Sequence, residues 1–342
     1  MIDEAAAGHP DLSDIPCVVV ARRTSGREVP ASDERRSVSE MWRTGRALSR
    51  FDAIVFPTHT AYVPVSPGSR VVLVVHDAIR DSRLSWVGES RAADLRWRAK
   101  RWLACRQASV IATTTRASAA AIRQHLPIGK TPIAILGMGV APSFSPDPKA
   151  EDHGLAGAWV PEGRRFLLYV GGLGEHKRVP MLVRAFGRVA ADPALVDLLL
   201  VLAGAEEGSG AERGALERAL EALGPLRSRV IRTGFVPDPT LAALYRRASC
   251  LVLPSRVEGF GLPALEAMAS GAPVVAARIP SLEEVCGEAA EYFDDQDLPG
   301  ALAGILGDGE RRRELARRGI ARSALFGWDE AARRLLAALS SP

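Results

Sequence analysis

From residue 166 onward, short aliphatic or β-branched runs alternate with segments of helical period, and this alternation restricts the chain more than any other feature. The predicted strands are Phe166–Val170, Leu198–Ala203, Val230–Thr233, Leu251–Pro254 and Val274–Ala277. Between them the spacing predicts helices over Met181–Ala191, Glu212–Leu223, Leu241–Ala248 and Pro263–Ser270. Strands separated by helices cannot form hairpins, so they must pair as a parallel sheet wrapped by those helices. The first half repeats the pattern less regularly, with runs at Cys17–Ala21, Ala53–Phe56, Val71–Val75, Val110–Thr114 and Ile133–Leu136. Its clearest helix is expected over Glu89–Gln107, with Leu95, Trp102 and Leu103 among the apolar positions and arginines on the other side.

A chain of 342 residues exceeds what one core usually organises, so two domains are expected. Periodicity lapses between Pro142 and Arg165, where Pro146, Pro148, Gly154, Gly157, Pro161 and Gly163 punctuate the sequence. The expected division is a first Rossmann-like domain over residues 1–145, a linker over 146–165, a second domain over 166–325 and a terminal helix over 326–342. That helix needs a surface for Leu335, Leu336 and Leu339. No residue-level repeat relates the two halves.

Hydrophobic residues at 47% and charged residues at 25% exclude a disordered or fibrous chain. A net charge of +4 and a pI near 9.1 favour phosphate-bearing partners or peripheral contact with an anionic membrane, without implying nucleic acid. Basic runs such as Arg311 to Arg318 read as a solvated helix face. Cys17, Cys105, Cys250 and Cys286 are widely spaced and lack C-x-x-C pairs, which argues against a zinc site or disulfide framework and for a reducing cytoplasm. The polar start, Met1 to Asp14, does not read as a signal peptide. The longest apolar stretch, Ala194 to Ala205, is too short to span a membrane and is broken by Asp197.

The densest run of special residues extends from Leu253 to Val275 and reads as strand, glycine turn, helix and strand. Glu258 falls in the turn at the carboxyl end of a strand, where open α/β sheets bind ligands. Gly259 and Gly261 allow close backbone approach, and Pro263 suits the first turn of a helix whose free N–H groups favour phosphate. Glu266, about one turn in, fits either dipole compensation or ligand binding. A second cluster, Tyr169 to Pro180, takes a strand through Gly171 and Gly172 to Lys177 and Arg178, a point charge and a planar fork suited to a diphosphate. It is neither a P-loop nor the dinucleotide fingerprint.

These residues carry a resemblance. Ser255, Glu258, Gly259, Phe260, Gly261, Leu262, Pro263, Glu266, Ala267, Met268, Ala269, Gly271, Pro273, Val274 and Val275 stand as in the paired-glutamate motif of glycosyltransferase family 4, the retaining group with the GT-B fold. The resemblance covers most of the chain and implies two facing, doubly wound Rossmann-like domains, with a C-terminal helix crossing back to the first. It implies that Glu258 contacts donor-sugar hydroxyls, that the backbone from Gly259 through Phe260 and Gly261 to Leu262 meets sugar and diphosphate, and that Glu266 meets the ribose. Gly171 and Gly172 would approach the phosphates and Lys177 would bind them. The sequence departs from many members in having Gly172 where they carry Arg, so Arg178 is expected to complete the clamp. Phe235 and Val236 resemble the segment beside the nucleotide base. In the first half, His76 and Asp77 resemble a family segment facing the cleft, so His76 is expected to touch the transferred sugar or acceptor, and His59 lies after the preceding strand. The family's opening strand and glycine loop have no counterpart here, so the first β-α unit is expected to be missing or degenerate.

The implied reaction moves a hexose from a nucleoside diphosphate sugar, with GDP-mannose the first choice of donor, to a glycan, a lipid-linked saccharide or a small-molecule hydroxyl. No D-x-D pair stands near the donor loops, so no metal and no resident cofactor are expected. The expected location is the cytoplasm, including the inner face of the membrane. Three alternatives stay open: a non-catalytic nucleotide-sugar-binding or scaffolding partner, a hydrolysing nucleotide-sugar epimerase of the same architecture and, least favoured, a nicotinamide dehydrogenase.

Overall fold

The computed structural model describes residues 17–19, 38–49, 51–82, 91–204, 209–294 and 297–340. The chain divides into two compact units, one formed by Met1–Met138 with Trp328–Pro342 and the other by Gly139–Gly327. The polar start and the 20–21 end of the first expected strand lie outside the described residues.

In the first unit β1 (Cys17–Val19), β2 (Ala53–Phe56), β3 (Arg70–Val74), β4 (Val110–Thr113) and β5 (Ile133–Ile135) lie side by side in chain order, all parallel. Right-handed crossovers that progress in one direction put every connecting helix on one face of the sheet. Side-chain alternation shows that face. Ile54, Phe56, Val71, Leu73 and Ile111 share a core with Leu48, Ala104, Cys105 and Ile122, from helices Val38–Leu48, Arg91–Gln107 and Arg116–His125. Ala53, Val55, Val72, Val74, Val110 and Ala112 point the opposite way, onto Leu335, Ala338 and Leu339. The terminal helix Trp328–Ser340 thus covers the face that the crossovers leave bare, and Arg70 Nε donates to Ala338 O at 3.1 Å.

The helix Arg91–Gln107 is turned differently from its expected orientation. Arg101, Ala104 and Cys105 are buried, whereas Leu95 and Trp102 are 69% and 52% exposed. Arg101 can go inside because Asp81 pairs with it at 2.8 Å and Asp77 O accepts from it at 3.3 Å. A paired charge took the place that the apolar residues were expected to fill.

The second unit holds β6 (Phe166–Val170), β7 (Leu199–Ala203), β8 (Val230–Gly234), β9 (Cys250–Leu253), β10 (Val274–Ala277) and β11 (Ala290–Phe293), all parallel, in the order β11-β10-β9-β6-β7-β8. After β8 the chain returns to pair β9 on the other flank of β6. The reversal that defines double winding is therefore in this sheet, and its switch point lies at the carboxyl ends of β6 and β9.

Residues 146–165 are not a linker but part of this unit. Helix Asp152–Gly157 packs on helix Asp238–Arg247, and Arg246 Nε donates to Asp152 Oδ2 at 2.6 Å. Arg246 also donates to Ser145 O at 3.1 Å, and Phe144 meets the Tyr245 ring edge-on at 5.9 Å. Proline and glycine interrupt the periodicity of this stretch, but a buried ion pair and an aromatic contact fasten it.

Candidate functional site

The carboxyl ends of β6, β7 and β8 each carry a glycine, and the backbone links them. Gly171 N donates to Ala203 O and Gly204 N donates to Gly234 O, both at 2.9 Å. Gly204 has φ +131° and a Cβ there would overlap Gly171 O, so side chains are excluded where the strand ends meet. The loop after β6 is held from two sides. Tyr169 OH donates to Gly172 O at 2.6 Å, and Glu212 Oε1 accepts from Glu175 N at 2.7 Å. A single 3-10 turn, Glu175–Lys177, then delivers Lys177 to the switch point. Arg178 follows in the left-handed region, at φ +56°, and its guanidinium donates to Met181 Sδ at 2.9 Å. Non-glycine residues adopt that backbone only under constraint.

The loop after β9 meets the first one there. Lys177 Nζ donates to both oxygens of Glu258, at 2.7 and 2.8 Å, and Ser255 Oγ donates to Glu258 Oε1 at 2.7 Å. Arg256 N donates to His176 O at 2.7 Å, so the two loops are joined by backbone as well as by charge. The Lys177 and Glu258 side chains keep 23% and 11% of their surface in solvent. Gly261, at φ +95°, makes the turn into helix Leu262–Ala269, and a Cβ there would strike Leu282. Phe260 is buried and meets the Phe326 ring edge-on at 5.8 Å, so at this position only the backbone is available to a ligand.

One turn into that helix, Glu266 Oε2 accepts from Tyr245 OH at 3.0 Å. Burial, with a smaller contribution from the charge of Asp238, pushes the Glu266 carboxyl up to about 7, against the opposing effect of the Tyr245 hydrogen bond. Beyond β8, Val236 is buried and Phe235 is 79% exposed, which leaves an aromatic face free of protein cover beside the Gly234 strand end.

The sequence picks out Lys177, Glu258 and Glu266, and the structure brings the first two into contact. Sequence reasoning misses their supports, Tyr169, Glu212, Ser255 and Tyr245. Of these only Ser255 had a signal, its place three residues before Glu258.

In the first unit His76 follows β3 and is exposed, and its carbonyl accepts from Thr113 Oγ1 at 3.4 Å. Asp77 Oδ1 turns back to accept from Ile79 N at 2.9 Å. His59 is packed edge-on against Trp97 at 5.6 Å, with Nε2 at 3.5 Å from Arg101 Nη1. Burial and the Arg101 charge take its imidazole down to about 3, so it is neutral at physiological pH. Among the described residues no group of three or more His, Cys, Asp or Glu side chains is placed to hold a metal ion, and no helix is long and apolar enough to cross a membrane.

Residues 158–322 match the family described as Glycosyl transferases group 1. A D-inositol 3-phosphate glycosyltransferase of Thermobispora bispora is 34% identical over 199 residues, covering 56% of this chain and 46% of that protein. Serotype-specific mannosyltransferase WbdA of Escherichia coli is 36% identical over 166 residues, covering 48% of this chain and 20% of that protein. The chain thus spans less than half the length of these curated relatives. Sucrose-phosphate synthase from Thermosynechococcus elongatus has the same fold, with a TM-score of 0.70 over 88% of this chain and 75% of that one at 23% identity. Residues 158–322 are thus similar to the Glycosyl transferases group 1 family, in a chain whose two parallel-sheet α/β units have the GT-B fold.

Proposed function

We propose that this chain is a retaining hexosyltransferase that uses a nucleoside diphosphate sugar and a hydroxyl acceptor on a glycan, a lipid-linked saccharide or a small molecule. The observation that carries the reading is the meeting of Lys177 and Glu258 at a sheet switch point, beside an uncapped helix N-terminus. In the proposed reaction the bond from the anomeric carbon to the diphosphate breaks and a bond to the acceptor oxygen forms on the same face. The acceptor proton leaves with the diphosphate. Lys177, Arg178 and the N–H groups opening helix Leu262–Ala269 would meet the charge that grows on the leaving group, with no metal ion required of the protein. Glu258 would accept from sugar hydroxyls and Glu266 from the ribose. Gly171, Gly172, Gly259 and Gly261 would admit the phosphates, and Phe235 and Val236 would flank the base. His76 is assigned to the transferred sugar or acceptor.

GDP-mannose is the first donor to test, since a mannosyltransferase is among the relatives. The buried, unpaired thiols Cys105, Cys250 and Cys286 suit a reducing cytoplasm. The test is calorimetric titration with GDP, UDP, ADP and their sugar conjugates. One nucleotide should bind selectively, and Lys177→Ala should weaken it by about 10- to 100-fold, the worth of a charge-assisted hydrogen bond. A folded protein that binds none of them, or a Lys177→Ala variant that binds as well as wild type, would sink the proposal. His76→Ala should slow transfer while leaving nucleotide affinity intact.

A further inference from the structure

The 3-10 turn Glu175–Lys177 has no side-chain cap from the residue before it. A helical turn leaves its first N–H groups without partners in the turn, and the preceding residue normally supplies a side-chain oxygen. Here that residue is Gly174, which has none. A Cβ at Gly174 would come within 2.7 Å of His176 Cε1, so a serine or aspartate there would displace the imidazole. The acceptor comes instead from 37 residues away, where Glu212 Oε1 accepts from Glu175 N at 2.7 Å.

Glu212 also has a task in its own helix. It forms a capping box with Ser209 at the start of helix Gly210–Glu221, in which Ser209 Oγ accepts from Glu212 N at 3.2 Å and Glu212 Oε2 accepts from Ser209 N at 2.6 Å. The box needs one carboxylate oxygen, and the other is spent on a different segment. Burial would raise the Glu212 carboxyl, but the N–H groups of Ser209 and Glu175 outweigh it and hold the carboxyl below its ordinary value. An anion therefore serves both segments at neutral pH.

What this contact holds is the turn that ends in Lys177. Each residue of the turn is tied to another segment: Glu175 N to Glu212, His176 O to Arg256 N at 2.7 Å, and Lys177 Nζ to Glu258. The last tie is the one that a bound diphosphate would loosen, because it competes for the same ammonium. The other two act on the backbone, and of these the tie at Glu175 ends on a side chain.

We propose that Glu212 is a positioning residue of the donor site, which fixes the Glu175–Lys177 turn, and so the place of the Lys177 ammonium, without touching the ligand. Its effect on binding rests on the reading of Lys177 as a phosphate contact, whereas its hold on the turn does not.

Two variants separate this role from helix capping. Glu212→Ala removes both the box and the tie to Glu175, whereas Ser209→Ala removes the serine acceptor and leaves Glu212 on Glu175 N. In the ligand-free chain, hydrogen exchange at the amides of residues 174–178 should be about tenfold faster in Glu212→Ala and as in wild type in Ser209→Ala. Calorimetric titration then uses whichever of GDP, UDP and ADP wild type selects. Glu212→Ala should bind it about tenfold more weakly, and Ser209→Ala as tightly as wild type. In a Lys177→Ala background Glu212→Ala should add less than about twofold, because a residue that acts through Lys177 has nothing left to position. Thermal unfolding checks that the variants fold. Should Glu212→Ala fail to do so, Glu212→Gln replaces it, with one acceptor oxygen in place of two and the same outcomes at smaller amplitude. Unchanged exchange in the folded Glu212 variant, or equal acceleration in the Ser209 variant, would overturn the proposal. So would a full tenfold loss in the Lys177→Ala background, since Glu212 would then act on the ligand or on the unit as a whole. The expected exchange pattern in a protein that binds none of the nucleotides would leave Glu212 as the clamp of the turn and sink the donor-site reading alone.

Discussion

Glu266 offers a test that separates its burial from its proposed contact with ribose. Its carboxyl has moved from an ordinary 4.5 to about 7, mainly because burial disfavours the anion. In the unfolded chain the group returns to its ordinary value. Between the two values the folded protein therefore holds a proton that the unfolded chain has released, and stability falls as pH rises through that window. The full loss amounts to roughly 3 kcal/mol, an upper bound because Glu266 keeps some contact with solvent. Glu266→Gln never ionises, so urea unfolding of variant and wild type should differ least near pH 5 and most near pH 8, where the variant is the more stable. Ribose hydroxyls donating to the carboxylate would pull the other way, since they favour the anion. Nucleotide affinity should then be about tenfold weaker at pH 6 than at pH 8, with a proton released on binding near pH 6. Calorimetry in two buffers of different ionisation enthalpy counts that proton. Parallel unfolding curves across pH would refute the burial argument, and pH-independent affinity with no proton released would refute the ribose assignment.

Two further outcomes follow from packing. Arg246→Ala leaves the buried Asp152 carboxylate without its fork, whose side chains are only 6% and 11% exposed, and should destabilise the second unit by about 3–5 kcal/mol in chemical unfolding. A loss near zero would mean that the 146–165 stretch is a detachable linker after all. Leu335→Ala removes a side chain from the covered face of the first sheet and should cost about 2–4 kcal/mol, read as a lower unfolding midpoint for the first unit with nucleotide affinity unchanged.

What could be read from the sequence follows the range of the physics involved. Most strand and helix positions in the second unit follow from local periodicity, with β6 through β10 within a residue or two of their expected limits, whereas helix Asp152–Gly157 and β11 do not. The orientation of helix Arg91–Gln107 does not follow, because periodicity finds a stripe without saying which stripe turns inward. Asp81 decides that, from another segment, by neutralising Arg101. The support of Glu258 is likewise non-local, because Lys177 lies 81 residues away and arrives only because β9 pairs with β6 after β8 is laid down. The two glutamates also share a motif without sharing an environment. Glu258 is held by Lys177 and Ser255, while Glu266 faces a tyrosine and loses solvent, a difference that their spacing does not contain.

The Lys177–Glu258 pair has a consequence for the proposed chemistry. Both Glu258 oxygens are already occupied, and Lys177 Nζ is committed to them. A diphosphate that draws Nζ away must leave Glu258 with Ser255 as its hydrogen-bond donor in a largely enclosed place, which is costly for a carboxylate. Sugar hydroxyls arriving on the same ligand would restore the lost donors. The pair thus couples the two ends of the donor, and the intact nucleotide sugar should gain more over the bare nucleoside diphosphate than sugar contacts alone provide. Glu258→Gln uncouples them, because an amide holds Nζ weakly and loses little when Nζ departs. In that variant the bare diphosphate should bind as well as or better than in wild type, while the advantage of the sugar conjugate shrinks. Equal losses for both ligands would mean that Lys177 and Glu258 act independently.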